Sequence, residues 1–218
     1  MILRQLFLSL GVMIDFIKVL GQLVYGVWQI GRLPQPIITV FGSARHLKTT
    51  LYDQNAFLLA EQCTQQGISV LTGGGPGIME AANCGGVGLN HQLKGKTLGI
   101  GVKNLQEKPN KCAYKYIQLD YFFARKWLLM NYSKAFVIFP GGFGTLDELA
   151  ELLTLIQTKK LRPMPLFLFG TDYWKPLVDW LRGVVLDEGA INAQDVSLIT
   201  LVDCVEQIIP VLKHICEE

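Results

Sequence analysis

Residues 140–148 read PGGFGTLDE. The preceding residues, 135–139, are apolar and largely aromatic or β-branched, so they predict a buried strand. The following residues, 149–156, have helical spacing and strong helix formers. A strand, a glycine-rich turn and a helix start in this order favour anion binding. The glycines let a ligand approach the backbone, and the first N–H groups of the helix point toward it.

A purely structural role for the same turn must be considered beside this one. Thr145 and Glu148 fit a T-x-x-E capping box, in which Thr145 caps the helix and Glu148 reaches back to its N–H. Such a box accounts for these two residues but not for the three glycines and the proline. The stretch therefore favours a phosphate-handling loop, with the capping box as the structural alternative.

Further apolar strands and helical segments alternate along the rest of the chain. The pattern predicts strands at 36–41, 68–72, 97–102, 114–119, 135–139, 164–169 and 198–202. Helices of ten to eighteen residues separate most of them. This alternation predicts an α/β fold, with a doubly wound, mostly parallel, Rossmann-like sheet and helices on both faces.

Two more loops follow predicted strands, at 42–45 and at 73–77. In a doubly wound sheet the carboxyl ends of the strands form the ligand-binding edge. The glycine run at 73–77 is not a dinucleotide fingerprint, because Ile78 and Glu80 stand where the required glycines would be. No G-K-[ST] follows it either. We therefore expect no NAD, FAD or ATP chemistry, and no cofactor.

Composition narrows the class of protein further. The chain has 218 residues, of which 50% are hydrophobic and 17% charged, which is enough for a full core and excludes disorder. Its formal net charge of +2 gives no field that would attract a nucleic acid. No internal repeat or interdomain linker is present. We expect one compact domain that binds no nucleic acid.

Cysteine and histidine usage argues against metal binding and disulfides. The five cysteines have no C-x-x-C spacing and their number is odd. The three histidines form no H-x-x-x-H arrangement, so no zinc ligand set is apparent. Buried thiols in a reducing cytosol fit this pattern best. We expect a cytoplasmic protein without a metal or a disulfide framework.

The N-terminal segment, residues 5–31, predicts one long apolar helix with a polar stripe. The stripe residues recur at helical spacing; they are Gly11, Asp15, Lys18, Gln22, Gly26 and Gln29. The helix is long enough to cross a bilayer, but charges at Asp15 and Lys18 disfavour crossing. We expect it to pack on the domain or against a second copy, with the stripe facing solvent, and treat membrane contact as less favoured. This gives a helix at 1–33 and a nucleotide-binding domain at 34–218.

Three motifs resemble a known family. PGGFGTLDE matches the PGGxGTxxE signature of the LOG family, the cytokinin riboside 5′-monophosphate phosphoribohydrolases often labelled lysine decarboxylase-like. YFFARKW at 121–127 is similar to its segment around an Arg-Lys pair, and GGGPGIMEAA at 73–82 to its first glycine loop. The motifs occur in the family's order within residues 37–170. The loop at 107–110 and the hydrophobic N-terminus resemble its longer bacterial members.

The resemblance implies a reaction and a catalytic pair. The reaction is hydrolysis of the N-glycosidic bond of a nucleoside 5′-monophosphate, which gives the free base and ribose 5-phosphate without a metal. The catalytic pair falls on Arg125 and Glu148. Phe123 stands where relatives commonly carry histidine, so AMP or another monophosphate is as plausible a substrate as a cytokinin precursor. Family members are usually homodimers that share pocket residues.

The expected substrate-binding residues come from the three loops and from the Arg-Lys segment. They are Gly42, Ser43, Gly74, Gly75, Gly77, Glu80, Lys126, Gly141, Gly142, Gly144, Thr145 and Asp147. An alternative from another functional class is a non-catalytic nucleotide carrier or a molybdenum-cofactor carrier, since such carriers resemble this fold and loop layout. Carriers need not keep an Arg–Glu pair, so the presence of both residues favours the enzyme.

Overall fold

The computed structural model describes residues 2–45, 50–87, 95–103, 105 and 107–217. Eight α-helices lie within these ranges: Ile2–Ile30 (α1), Leu51–Gln65 (α2), Ile78–Val87 (α3), Phe122–Asn131 (α4), Phe143–Gln157 (α5), Thr171–Trp180 (α6), Ala193–Val196 (α7) and Ile209–Glu217 (α8). The described strands are Ile37–Phe41 (β1), Ser69–Thr72 (β2), Thr97–Val102 (β3), Lys115–Leu119 (β4), Ala135–Ile138 (β5), Leu166–Phe169 (β6) and Ile199–Val202 (β7).

The described strands form one seven-stranded sheet in the order β4-β3-β2-β1-β5-β6-β7, and every neighbouring pair is parallel. The chain builds outward from β1 through β2 to β4, and β5 then returns to the other side of β1. This reversal between β1 and β5 is the topological switch point, where doubly wound sheets bind ligands. The predicted α/β fold with a parallel sheet and helices on both faces is confirmed.

Alternating strand residues point into two separate cores, one on each face of the sheet. Phe41 and Phe136 are fully buried on the face covered by α1, α4, α5 and α6, where their rings stack at 6.3 Å. Val40 and Phe139 point to the other face, toward α2, α3 and α8. Near-continuous apolar strands are expected where both faces of a parallel sheet are covered. Truncating a buried phenylalanine such as Phe136 to alanine would cost about 3–5 kcal/mol.

The C-terminal half of helix α1 turns its polar stripe toward the domain, whereas the sequence predicts that the stripe faces solvent. The Asp120 backbone N–H donates to Gln22 Oε1 at 2.9 Å, and Gln22 Nε2 donates to Asp120 Oδ2. A Cβ at Gly26 would lie 2.3 Å from Leu128, and Gln29 is buried. The expectation that this stripe faces solvent is therefore wrong for its C-terminal half, which lies against the domain, whereas Gly11, Asp15 and Lys18 are exposed as expected. The division at residue 33 stays a prediction.

The outward side of α1 is consequently apolar. By length and composition alone, its Gly11–Ile30 part could cross a membrane, and it is the one such helix in the described ranges.

Two cysteines also depart from expectation. Cys84 at the end of α3 and Cys112 before β4 form a disulfide, with Cα atoms 4.6 Å apart. Spacing could not reveal this pair, because 28 residues separate the two in sequence and only the β2–β3–β4 topology brings them together. The expectation of no disulfide is wrong for this pair, whereas Cys63 is buried and outside any disulfide, as predicted.

The sequence pattern also predicts a helix at 172–187, and helical residues do extend from 171 to 187, but the helix is not regular throughout. Regular α-helix ends at Trp180, and one π-helical turn, Leu181–Val185, follows. Position 183 is glycine, a weak helix former, at the centre of that turn.

Candidate active site

Three loops meet at the switch point. The Ser43 N–H, after β1, donates to the Pro140 carbonyl after β5 at 3.1 Å, and the Ile78 N–H donates to the Ser43 carbonyl at 3.1 Å. Gly42 and Gly77 allow this approach, because an added Cβ would lie 2.6 Å from Ile78 and 2.5 Å from the Ser43 carbonyl oxygen. The loops predicted from three separate stretches of sequence therefore form one edge of the sheet.

Arg125 and Glu148 face each other beside this edge. Arg125 lies on α4 and Glu148 on α5, and Arg125 Nη2 is 3.9 Å from Glu148 Oε1. Arg125 is only 5% exposed and Glu148 only 7%. A buried charged pair costs desolvation energy that its own attraction seldom repays, so its retention points to a role beyond stability.

Burial governs the ionisation of Glu148. Loss of solvent raises the pKa of its carboxyl from the ordinary 4.5 to about 7. The charges of Arg125 and Lys126 act against this rise, while those of Asp147 and Glu107 add to it. A carboxyl with a pKa near neutrality can hold or release a proton at physiological pH, as an acid–base group must.

Arg125 lies beneath the first glycine loop. A Cβ at Gly73 would lie 2.0 Å from Arg125 Nη2, so only glycine leaves room for the guanidinium. The ring of Phe122 covers the group at 5.5 Å, and Arg125 Nε is buried without a hydrogen-bond partner in the described part of the chain. The guanidinium therefore keeps unused donor capacity beside a pocket, lined in part by Gly73, Gly75 and Tyr116.

The start of α5 is open to solvent. Gly142 is the N-cap, no side chain caps the helix, and Gly142, Phe143 and Gly144 are exposed. The predicted capping box is therefore wrong: Thr145 and Glu148 lie inside the helix. A Cβ at Gly141 would lie 2.1 Å from Thr145 Oγ1, which explains the glycine there. Uncapped N–H groups at an exposed helix start can bind an anion.

The predicted binding residues of the first glycine loop and of the helix after it fall into two groups. Gly74 and Gly75 line the same pocket as Arg125. Gly77 and Glu80 instead line an open groove between α2 and α3, together with Cys84.

Lys126 and Asp147 form the link between α4 and α5. Lys126 pairs with Asp147, and its Nζ lies 2.8 Å from Glu151. Partial burial works to lower the pKa of Lys126, but the hydrogen bonds to Asp147 and Glu151 outweigh it and raise that pKa. This bridge holds the helix that carries Arg125 against the helix that carries Glu148.

Sequence reasoning missed the segment at 107–116, which forms another wall of the pocket. Glu107 and Tyr116 line it. Burial raises the pKa of the Tyr116 phenol, against the opposing charge of Arg125 and with a smaller contribution from Glu107. Asn110 holds the segment in place, since its backbone N–H donates to Gly74 and its Nδ2 to Gly75, both at 2.9 Å. The local sequence of this polar loop carried no periodic signal, and only the Cys84–Cys112 pairing would have placed it. In the ranges described, no group of His, Cys, Asp and Glu is arranged to hold a metal.

Comparison with known proteins gives a consistent result. A family model described as "Possible lysine decarboxylase" matches residues 79–212. A cytokinin riboside 5′-monophosphate phosphoribohydrolase of Arabidopsis thaliana is 30% identical over 186 residues, covering 81% of this chain and 82% of that protein. A pyrimidine/purine nucleotide 5′-monophosphate nucleosidase of Escherichia coli K12 is 28% identical over 170 residues, covering 75% of this chain but 36% of that protein.

Solved structures agree on the fold. The molybdenum cofactor binding protein of Rippkaea orientalis superposes with a TM-score of 0.62 at 23% identity, covering 84% of this chain and 98% of that one. The molybdenum cofactor carrier protein of Chlamydomonas reinhardtii gives 0.59 at 22% identity, with 84% and 99% covered. At this identity the likeness establishes the architecture alone.

Proposed function

This chain belongs to the LOG family, and we propose that it hydrolyses the N-glycosidic bond of a nucleoside 5′-monophosphate to the free base and ribose 5-phosphate. The observation that carries the proposal is the buried Arg125–Glu148 pair, 3.9 Å apart, between the first glycine loop and the open start of α5. Relatives named as phosphoribohydrolases and as a nucleotide nucleosidase support the same reaction class.

The geometry suggests how a nucleotide would lie. Its 5′-phosphate would accept hydrogen bonds from the uncapped N–H groups at Gly142–Gly144. The ribose would then lie near Glu148 and the base beside Arg125 and the first glycine loop. The pocket lined by Gly73 and Gly75 has a volume of only about 10 Å³, so it would have to widen to admit the base. This orientation brings both charged side chains to the same end of the ribose, next to the bond that breaks.

Each charged group has a defined role in such a complex. Bond cleavage builds positive charge on the ribose, as in glycoside hydrolysis generally. The Glu148 carboxylate stabilises that charge and orients the water that adds to C1′. The Arg125 guanidinium donates to the departing base, which leaves with the bonding electron pair and takes up the proton that the attacking water loses. These roles require Glu148 in its ionised form.

Substrate preference tests the proposal. The purified protein is incubated with AMP, CMP and GMP and with the matching nucleosides, and the free base is measured by chromatography. Monophosphates should be cleaved roughly a hundredfold better, because two or more charge-assisted hydrogen bonds are lost without phosphate. Equal turnover of adenosine and AMP would overturn the phosphate-loop assignment. Tight nucleotide binding without any base release would instead favour the carrier function.

The base released is expected to be a purine or pyrimidine, with a cytokinin riboside monophosphate as one candidate. Relatives that carry cytokinin in their names support that candidate, and the nucleosidase relative supports ordinary nucleotides. Relative kcat/KM for AMP and for isopentenyladenosine monophosphate separates the two.

A homodimer is proposed from apolar side chains exposed next to the site. They lie on the outer sides of α4 and α5 and are Phe122, Phe123, Trp127, Phe143 and Leu146. A contiguous exposed apolar surface marks a protein interface. Sedimentation of the wild type and of Trp127→Glu checks this, since the variant should dissociate if these side chains form the contact.

A cytoplasmic location is also proposed, since nucleoside monophosphates are made and used there. Cytosolic disulfides are rare, so the Cys84–Cys112 bond provides a test. Alkylation of the protein in freshly lysed, acid-quenched cells should label all five cysteines if the bond is reduced in that compartment. Protection of Cys84 and Cys112 would place the protein in an oxidising compartment.

A further inference from the structure

The orientation of α1 leaves an apolar surface that the proposed reaction does not use. Gln22 is held by Asp120 through two hydrogen bonds, Gly26 lies against Leu128, and Gln29 is buried. These contacts fix the C-terminal half of the polar stripe toward the domain. The helix cannot hide its opposite side by rotating, because that would break both hydrogen bonds.

The opposite side of α1 is called the outward face here. It consists of side chains three or four residues apart, each 53–62% exposed: Met13, Ile17, Leu20, Val24 and Trp28. None of them is charged, and Gly21 lies among them with open space around it. An uninterrupted apolar face of this length is unfavourable in water and indicates a binding surface.

Nearer its start, α1 is exposed around its circumference. Val12 and Phe16, which lie off the outward face, are about two-thirds exposed, and Ile14 is nearly half exposed. A second helix would cover one side of such a segment, whereas acyl chains can cover every side that the domain leaves free. The charged pair Asp15–Lys18, 3.7 Å apart, lies on the polar stripe and thus on the side away from the outward face.

Aromatic and basic side chains gather at the other end of the outward face. Trp28 has the Arg32 guanidinium 4.7 Å from its ring centroid and the Lys115 ammonium 5.9 Å away. Lys96 Nζ donates to the exposed Tyr114 hydroxyl at 3.0 Å. Within the described ranges, none of these three cations is paired with a carboxylate. Exposed Trp and Tyr with unpaired Lys and Arg match the headgroup region of a membrane with anionic lipids.

Charge also argues against a second copy paired in parallel with this face. Parallel pairing of two α1 helices would bring Arg32 and Lys115 against the same residues of the other copy. That arrangement places like charges together, which is unfavourable.

We propose that α1 lies in the plane of a membrane that contains anionic lipids. The outward face enters the acyl region, and Arg32, Lys96 and Lys115 bind the headgroups. The domain remains on the aqueous side, with the site accessible to soluble nucleotides. This proposal does not depend on the reaction catalysed.

Vesicle flotation of the full-length protein tests the proposal. Vesicles of phosphatidylcholine with about one-third phosphatidylglycerol are compared with phosphatidylcholine alone, at low and high salt. The wild type should float with the anionic vesicles. Val24→Glu should reduce the bound fraction roughly tenfold or more, since it places a charge at a position that enters the acyl region. The double variant Arg32→Glu/Lys115→Glu should lose the preference for anionic lipid.

Val184→Glu is the matched control, because Val184 is about as exposed as Val24 but lies on the π-helical turn after α6. It should float like the wild type. Circular dichroism verifies folding, and Leu20→Glu replaces Val24→Glu if that variant unfolds. Wild type that stays soluble with both vesicle types would overturn the proposal. So would an oligomer that Val24→Glu dissociates, because a second copy would then cover the face.

Discussion

Replacing Glu148 with glutamine should stabilise the protein at neutral and alkaline pH. Burial raises the pKa of Glu148 from 4.5 to about 7, so ionising it in the native state is unfavourable. At about 1.4 kcal/mol per pH unit, this rise in pKa corresponds to a loss of about 3 kcal/mol in the free energy of unfolding once Glu148 is ionised. Glutamine has the same shape and does not ionise, so Glu148→Gln avoids this cost.

The direction of the pH dependence follows from proton binding. Between pH 4.5 and about 7 the native Glu148 carboxyl keeps its proton while the unfolded chain has released it. The native state therefore binds more protons in this window, and its stability falls as pH rises through it. The free energy of unfolding of Glu148→Gln, relative to wild type, should increase by about 3 kcal/mol from the lower to the upper end of the window.

Urea unfolding followed by tryptophan fluorescence at several pH values measures this difference. Glu188→Gln, at an exposed position, is the control and should follow the wild type at every pH. If the free energy of unfolding of Glu148→Gln differs from that of the wild type by the same amount at every pH, the reasoning is refuted. If the advantage of Glu148→Gln in the free energy of unfolding shrinks as pH rises, Arg125 outweighs burial and stabilises the ionised carboxylate.

Three further predictions follow from the site. Because catalysis needs ionised Glu148, kcat/KM should rise as pH passes about 7 and then level off. A kcat/KM that does not change from acid to alkaline pH would contradict this role of Glu148. Gly73→Ala should lower kcat/KM roughly a hundredfold, since its Cβ would displace the Arg125 guanidinium. Gly183→Ala is the control and should leave kcat/KM unchanged, because a Cβ at Gly183 has open space around it. Equal effects of the two substitutions on kcat/KM would refute the close approach of Arg125 to Gly73. Lys126→Met should lower the Tm by a few degrees by removing its two ion pairs to α5, and an unchanged Tm would show that the bridge is energetically neutral.

The sequence allowed the fold to be predicted because local pattern and global topology agree. Apolar runs of strand length alternate with helical segments, and parallel strands bring all carboxyl ends to one edge. The loops after β1, β2 and β5 could therefore be placed together before any contact was known. Arg125 and Glu148 were assigned from family motifs, since helical spacing alone left Arg125 equally consistent with a surface position.

Two of the errors, the polar stripe of α1 and the Cys84–Cys112 disulfide, concern contacts between segments distant in sequence, whereas the capping-box error concerns where a helix begins. Helix α1 has the amphipathic pattern of a helix whose polar stripe faces solvent, but Gln22 on that stripe bonds to Asp120, 98 residues away. Thr145 and Glu148 match a capping box, but the helix begins earlier, at Phe143, and buries both side chains. Local pattern gives the period of a segment without giving the direction that its faces point.

The most direct test of the central claim compares nucleotide binding with turnover in Glu148→Gln. Binding of AMP is measured by calorimetry, and base release by chromatography. The Arg125–Glu148 pair predicts that the variant binds AMP about as tightly as the wild type, while kcat falls by roughly two orders of magnitude or more. Base release by Glu148→Gln at a near-normal rate would contradict the claim and reduce Glu148 to a structural residue of α5.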